Sequence, residues 1–179
     1  MQILQTLRDE HEIIVQALDL LDARAQRLAA NEAVPIGELD ALLRFLRRYA
    51  DACHHAKEEK VLFPALERQG MLHDGGPIGV MLHEHGVGRE HVTAMASAME
   101  EIETSATARI RFARAATELS TLLRMHIHKE NNVLYMLAQR MLPARRDDEL
   151  AAAAERHEAD AMAPGEKDEL LAALRSLAG

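Results

Sequence analysis

One stretch and its repeat decide the fold of this chain. Residues 54–63 read His54-His55-Ala56-Lys57-Glu58-Glu59-Lys60-Val61-Leu62-Phe63. The pattern returns in the second half of the chain as His126-Ile127-His128-Lys129-Glu130-Asn131-Asn132-Val133-Leu134-Tyr135. In both copies a histidine and a glutamate stand four positions apart, so they lie one turn apart on the same face of a helix. Two copies, each inside an apolar stripe, indicate that the two helices share a buried polar site.

The composition is that of a helical protein. The 179 residues are 48% hydrophobic but only 3% aromatic, and they are rich in the strong helix formers Ala, Leu, Glu and Arg. We predict an all-α fold, an antiparallel up-down four-helix bundle over residues 1–142 with a short C-terminal helical hairpin, residues 143–179, packed on it. The expected helices are Ile3–Asn31, Pro35–Arg68, Pro77–Glu103, Thr107–Leu142, Asp147–Met162 and Glu166–Leu177.

Charge and cysteine content restrict the partners. The formal net charge of −8 repels nucleic-acid backbones and anionic lipid, so neither nucleic acid nor membrane is an expected partner. The sequence shows no leader peptide and no run of ~18 apolar residues. The single cysteine, Cys53, excludes an internal disulfide and fits a reducing compartment. We therefore predict a cytoplasmic protein.

The repeat extends beyond the two motif helices. Glu10-His11 in the first predicted helix corresponds to Glu84-His85 in the third, at nearly the same offset as the longer motif. A bundle of two such hairpins has a pseudo-two-fold axis through its core. This arrangement brings six candidate metal ligands into one core layer: His11, His54, Glu58, His85, His126 and Glu130.

Four imidazoles and two carboxylates suit a pair of first-row transition ions. Each carboxylate has two oxygens and can bridge both ions, while each ion takes two histidines. Nitrogen ligands disfavour magnesium and calcium. Because buried polar groups without partners are strongly destabilising, the alternative interpretation is a metal-free hydrogen-bond network among the same histidines and glutamates.

The remaining candidates receive simpler interpretations. His55 and Glu59 repeat the four-residue spacing, but the helical wheel and the internal repeat favour His54 and Glu58 and turn the other pair away from the site. Cys53 is expected to be a small core residue, with a redox role beside the site as the alternative. The histidines expected to be solvated or peripheral are His55, His73, His83, His91, His128 and His157.

The motifs resemble those of the hemerythrin-like, or HHE cation-binding, family. The shared features are the paired His-x-x-x-Glu motifs, the lysine before each glutamate, Leu-Phe-Pro after the first motif and the two Glu-His dipeptides. The resemblance covers about Met1–Leu142, and the region from Glu158 to Leu174 is similar to the tails of bacterial members. It implies a four-helix bundle that holds a non-haem centre of two iron ions with an oxo or hydroxo bridge.

One departure from the oxygen-carrying members bears on function. Those members have a further histidine one turn from the ligand on the third helix, whereas Met81 and Arg89 occupy the positions one turn from His85. With four histidines, at least one iron is expected to keep an exchangeable position, which favours redox chemistry over reversible oxygen carriage.

The predicted function is therefore to sense, or react with, oxygen, peroxide or nitric oxide. Whether that reactivity is catalytic, either peroxidase-like or directed at nitric oxide, is left open, and no protein partner is indicated. The alternatives are iron handling or iron–sulfur cluster repair, and reversible oxygen binding. Repair ranks lower, because relatives with that activity usually carry an extra N-terminal domain containing cysteine, which the sequence does not show.

Overall fold

The computed structural model of the protein describes residues 1–178. Within them the chain forms six helical rods: α1 (Gln2–Ala29), α2 (36–67), α3 (Pro77–Met99), α4 (106–141), α5 (Asp147–Ala161) and α6 (Glu166–Ala178). A 3₁₀ turn, Ala144–Arg146, joins α4 to α5. Residues 1–178 contain no strand, so the predicted all-α class is confirmed, and the rods begin and end within four residues of the predicted bounds.

Two of the rods contain wide π-helical turns. In α2 an α-helix (Ile36–Phe45) leads into π turns (Leu46–His55 and Glu58–Leu62) and returns to α at Phe63–Glu67. In α4 one π turn, Glu130–Leu134, lies between Ala106–Lys129 and Tyr135–Met141. Turns of this kind are rare and often mark functional sites. Since their hydrogen bonds span five residues, successive side chains rotate less than in an α-helix.

The core is divided into two apolar clusters by a polar layer. One cluster surrounds Leu18, Tyr49 and Phe112, and the other surrounds Leu7, Phe63 and Tyr135. Between them lie buried polar and charged side chains from residues 10–11, 54–58, 85 and 126–130. Apolar packing on both sides keeps bulk water out of this layer, which strengthens every electrostatic interaction inside it.

The last two helices pack on α1 and α2. Leu150 and Ala154 of α5 join the cluster that contains Leu7, whereas Leu170 and Leu174 of α6 join the other one. This packing agrees with the expected hairpin, and the division of the chain at residues 142 and 143 stays a prediction. Across residues 1–178, none of the helices combines the length and apolarity needed to cross a membrane.

Candidate metal centre

Each of the four long rods contributes to the polar layer, and all six predicted ligands are buried there with at most 1% of their surface exposed. They divide into two groups of four, in each of which one potential ligand atom per residue lies within 4.8 Å of the others. The groups are His11, His54, Glu58 and Glu130, and Glu58, His85, His126 and Glu130. Both carboxylates, Glu58 and Glu130, belong to both groups.

The inner nitrogens of the imidazoles face the carboxylates. Glu130 Oε2 lies 3.1 Å from His11 Nε2 and 3.2 Å from His126 Nε2. On the other carboxylate, Glu58 Oε2 lies 3.5 Å from His85 Nε2. The four helices thus direct nitrogen and oxygen atoms at a common centre.

Five of these inward atoms have no hydrogen-bond partner within residues 1–178: Nε2 of His11, Nε2 of His54, Oε2 of Glu58 and both carboxylate oxygens of Glu130. Some lie close together, but they are not aligned as donor and acceptor. Each unpaired buried atom destabilises the fold by roughly 1–3 kcal/mol. Cations placed among them would satisfy all five, and the mixed nitrogen and carboxylate set suits iron. The residues present therefore fit the metal that the resemblance implies.

On its outer side, each imidazole is held at Nδ1 by an oxygen acceptor 2.7–3.1 Å away: Glu10 for His54, Glu59 for His85, Glu84 for His126 and Asn131 for His11. A carboxylate or amide oxygen accepts, so each Nδ1 donates, and in a neutral ring the lone pair is then on the inward-facing Nε2. The Nε2 atoms of His85 and His126 lie 3.1 Å apart. Outer hydrogen bonds of this kind fix the tautomer and the orientation of metal-binding histidines. Each of the four rings is thus fixed in orientation by its outer partner.

The lysine of each motif holds one of these outer acids. Lys57, itself buried, bonds to Glu10, and Lys129 bonds to Glu84. Burial would raise the pKa of Glu10, but His54 and Lys57 outweigh it and lower that pKa to about 2. Glu10 is therefore ionised. Each Lys in the repeated motif anchors the acid of a Glu-His dipeptide.

The two inner carboxylates are unequal in the metal-free protein. Burial and the neighbouring Glu130 raise the pKa of Glu58 well above its ordinary range. Burial acts on Glu130 in the same direction, but His126 and His11 hold its pKa well below the usual value. Tyr135 Oη donates to Glu58 Oε1 at 2.6 Å, which leaves the other oxygen of Glu58 directed at the imidazoles.

The prediction for His55 is wrong, because its side chain is buried beside the site. Its ring stacks on that of His85, with centroids 4.0 Å apart and planes 18° from parallel. The π turn Leu46–His55 contains both adjacent histidines, and both are buried. Its Nδ1 lies 3.5 Å from Asp51 without a hydrogen bond. A ring nitrogen of His55 lies within 4.8 Å of one from His85 and one from His126, so His55 adjoins the six predicted ligands as a further nitrogen donor.

Glu59 also departs from its predicted outward position. Its Oε1 accepts from His85 Nδ1 at 2.7 Å and from Arg89 Nη2 at 2.8 Å. Arg89, one turn after His85, is thus a partner of this acid. Met81, one turn before, is buried in the apolar cluster around Leu7.

A cavity of about 140 Å³ reaches the site from one side of the bundle. His55 and His85 form its buried polar lining, Asp51 is half-buried, and the exposed members are Arg47, Arg89 and Thr93. Its apolar lining consists of Leu46, Ala50, Gly88, Val92, Leu119 and Leu123. Because a water molecule needs only about 10–15 Å³ of such volume, the cavity has room for a small ligand.

Cys53 behaves as the core residue that the sequence predicts. Its thiol is fully buried, and Sγ lies 3.5 Å from Glu158 Oε2. Burial raises the pKa of the thiol to about 12. A protonated, enclosed thiol is a poor nucleophile and a poor redox group.

The outer partners were not predicted from sequence, although the repeat contains their signal. Glu10 and Glu84 precede corresponding histidines, and Glu59 and Asn131 follow corresponding glutamates. Tyr135 ends the second copy of the motif. Extending the comparison of the two copies to the neighbours of each ligand would have found the four acceptors.

The fold and the polar layer define a class, an all-helical protein with a buried histidine–carboxylate site. The sequence profile of the hemerythrin HHE cation-binding domain matches residues 2–138, and the chain belongs to this family. The family prediction is thereby confirmed, and with it the class of non-haem iron-binding proteins.

Seven curated relatives share one name, iron–sulfur cluster repair protein YtfE. The protein from Musicola paradisiaca (strain Ech703) is 29% identical over 143 residues, and that from Dickeya chrysanthemi (strain Ech1591) is 28% identical over the same length. The protein from Yersinia pseudotuberculosis serotype IB (strain PB1/+) is 31% identical over 145 residues. Each match covers 77% of this chain and 63% of the relative, so the chain spans less than two-thirds of their length.

Proposed function

We propose that the protein holds two iron ions among α1 to α4 and uses them to sense, or react with, oxygen, peroxide or nitric oxide. The proposed ligands are His11, His54, Glu58, His85, His126 and Glu130. The observation that carries the proposal is that the two groups of four share both carboxylates. A single ion would leave one pair of imidazoles without a cation.

Charge balance supports two ions in this layer. Two ferrous ions, two glutamates and one bridging hydroxide leave about one excess positive charge, which a low-dielectric core tolerates far better than the bare ions. When bound, iron supplies the one-electron redox chemistry that the side chains of the layer lack. The surrounding side chains orient the proposed ligands: Tyr135 fixes Glu58, and each imidazole is fixed by its outer acceptor.

The cavity beside His85 supports a small ligand. Its apolar wall excludes large polar substrates and favours a small neutral molecule such as oxygen or nitric oxide. His55 lines its buried end with an Nδ1 atom that lacks a hydrogen bond. That nitrogen can donate to, or accept from, a polar ligand that enters the cavity.

Metal analysis tests the proposal most directly. Protein purified from iron-supplied cells should contain two iron ions per chain, and its oxidised form should show charge-transfer absorption. Azide or nitric oxide should perturb that spectrum. About one zinc per chain, with no charge-transfer absorption after iron loading, would overturn the di-iron proposal.

A second candidate function is iron handling or iron–sulfur cluster repair. It is favoured by the name of the relatives, which match 77% of this chain. The test is to mix the iron-loaded protein with a damaged cluster protein and follow recovery of the cluster spectrum. Recovery no faster than with free ferrous iron would reject this candidate.

Reversible oxygen carriage is the remaining alternative. The anaerobic reduced protein is mixed with oxygen, its spectrum is followed, and the oxygen is then removed. We expect oxidation that persists until a reductant is added. A full return of the reduced spectrum without reductant would show carriage instead.

A further inference from the structure

The outer hydrogen bonds of the four imidazoles obey the internal repeat, with one exception. Glu10 and Glu84 are corresponding residues of the two Glu-His dipeptides and play the same part, as acceptors 3.0 Å from His54 Nδ1 and 2.9 Å from His126 Nδ1. Each also bonds to the lysine of its motif. These two rings therefore have equivalent outer hydrogen bonds.

The other two imidazoles have unequal partners. Glu59 and Asn131 correspond in the repeat, because each directly follows the glutamate of its motif. The carboxylate of Glu59 accepts from His85 Nδ1 at 2.7 Å, whereas the amide oxygen of Asn131 accepts from His11 Nδ1 at 3.1 Å. The symmetry of the outer shell is thus broken at one position, where a neutral amide replaces an anion.

The surrounding charges increase this difference. Arg89 bonds to Glu59 and also to Asp51, so this group carries a formal charge of −1 (two acids and one base). Arg8 Nη1 donates to Asn131 Oδ1 at 3.3 Å, so the corresponding group carries +1. The two groups differ by two charges, although both are built around the same backbone position of the repeat.

The matched positions do not offset that difference. Glu84 and Lys129 sum to zero. Glu10 and Lys57, together with Glu158 and Lys167 from the last two helices, also sum to zero. The difference in formal charge between the two halves of the site therefore arises around Glu59 and Asn131.

An anionic acceptor on the outer nitrogen makes an imidazole a stronger ligand, because it stabilises positive charge that the metal draws onto the ring. We propose that the two metal subsites are unequal for this reason: the ion between His85 and His126 is held more tightly, and the ion between His11 and His54 is the first to leave. This inference rests on the proposed di-iron function. It adds that one of the two ions is exchangeable.

The difference in affinity between the two proposed metal subsites can be measured by stepwise metal binding. Metal-free protein is titrated anaerobically with cobalt(II), followed by visible absorption and calorimetry. Outer partners change the affinity of metal-binding histidines by roughly 10–100-fold. We therefore expect two cobalt-binding events whose dissociation constants differ by about that factor. Binding of only one ion per chain would count against the di-iron proposal itself, whereas two equal events would count against the inequality alone.

Two isosteric variants assign the events to the subsites. Asn131→Asp adds an anion at His11 and should tighten only the weaker event, by roughly 10-fold or more. Glu59→Gln removes the anion at His85 and should weaken only the stronger event. Both variants should reduce the difference in affinity between the two binding events.

Asn132→Asp is the matched control, because it adds the same charge at the next position on an exposed side chain. It should leave both events unchanged. Circular dichroism and elemental analysis check that each variant folds and loads metal. The proposal is overturned if Asn131→Asp and Asn132→Asp give the same titration, or if Glu59→Gln leaves the stronger event unaltered.

Discussion

Replacing Tyr135 with phenylalanine tests how far the metal-free layer depends on the partners of its carboxylates. The Tyr135 hydroxyl donates to Glu58 Oε1 at 2.6 Å, and both side chains are fully buried. Phenylalanine occupies nearly the same volume, so the substitution leaves no cavity large enough to confuse the result. It removes one donor and leaves a buried acceptor unpaired.

The expected loss of stability follows from that single atom. An acceptor left unpaired in the core lowers the free energy of unfolding by about 1–3 kcal/mol. For a chain of this length, each kcal/mol lowers Tm by roughly 2–4 °C, so we expect a fall of about 4–8 °C for a loss near 2 kcal/mol. The fall should be smaller in the iron-loaded protein, because the bound cations partly satisfy the Glu58 carboxylate.

Tyr49→Phe provides a matched control. Tyr49 is also buried, but its hydroxyl has no hydrogen-bond partner within the described part of the chain. Its removal should leave stability unchanged or raise it. Urea and thermal unfolding of the metal-free proteins, followed by far-ultraviolet circular dichroism, compare the two variants. If Tyr135→Phe destabilises by no more than Tyr49→Phe, the hydrogen bond to Glu58 does not stabilise the fold and the reasoning fails.

Three further expectations concern metal content, pH and ligand access. Glu58→Ala and Glu130→Ala should each lose most of the iron by elemental analysis, and retention of two ions in either variant would contradict the bridging assignment. Burial lowers the pKa of His54 to about 4, so between pH 6.5 and 4 the unfolded chain binds more protons at this group, and stability must fall as pH falls. The contribution of His54 is roughly 3 kcal/mol over that window, and urea midpoints of the metal-free protein that do not decrease there would refute it. His55→Phe should weaken azide binding to the iron-loaded protein without changing its iron content, with exposed His83→Phe as the control; equal azide affinity in both variants would remove His55 from the ligand path.

The polar layer was predictable because the repeat is a long-range constraint contained in the sequence. A His-x-x-x-Glu pair on each of two helices and a Glu-His dipeptide on each of two others can satisfy their polar groups only by meeting. The helix bounds were predictable for a similar reason, since Gly and Pro interrupt the apolar periodicity at the loops. These two arguments do not depend on the local geometry of any turn.

The direction of His55 and Glu59 does depend on local geometry. A helical wheel assumes equal rotation at every residue, and on that assumption both side chains point away from the core. The π turns Leu46–His55 and Glu58–Leu62 change the rotation where the motif lies. Residue propensities do not distinguish such turns from α-helix, so the sequence of α2 alone gives no sign of them. The wrong prediction of side-chain direction is confined to His55 and Glu59, whose position on the inner or outer face of α2 depends on this rotation.

The last two helices bear on the chemistry of the site as well as on stability. Glu158 of α5 bonds to Lys57 at 2.8 Å and to Lys167 of α6 at 2.7 Å. A buried lysine is stable only when its charge is paired, and these contacts leave the Lys57 side chain 1% exposed. Lys129, at the corresponding position of the repeat, has no such cover and is 35% exposed. Two equivalent halves of an internal repeat thus differ in their contact with water, because the hairpin covers the side of the layer that contains His54. Solvent screening therefore weakens the ion pair of Lys129 and Glu84 more than that of Lys57 and Glu10, so the hairpin adds a second source of asymmetry to the difference between Glu59 and Asn131.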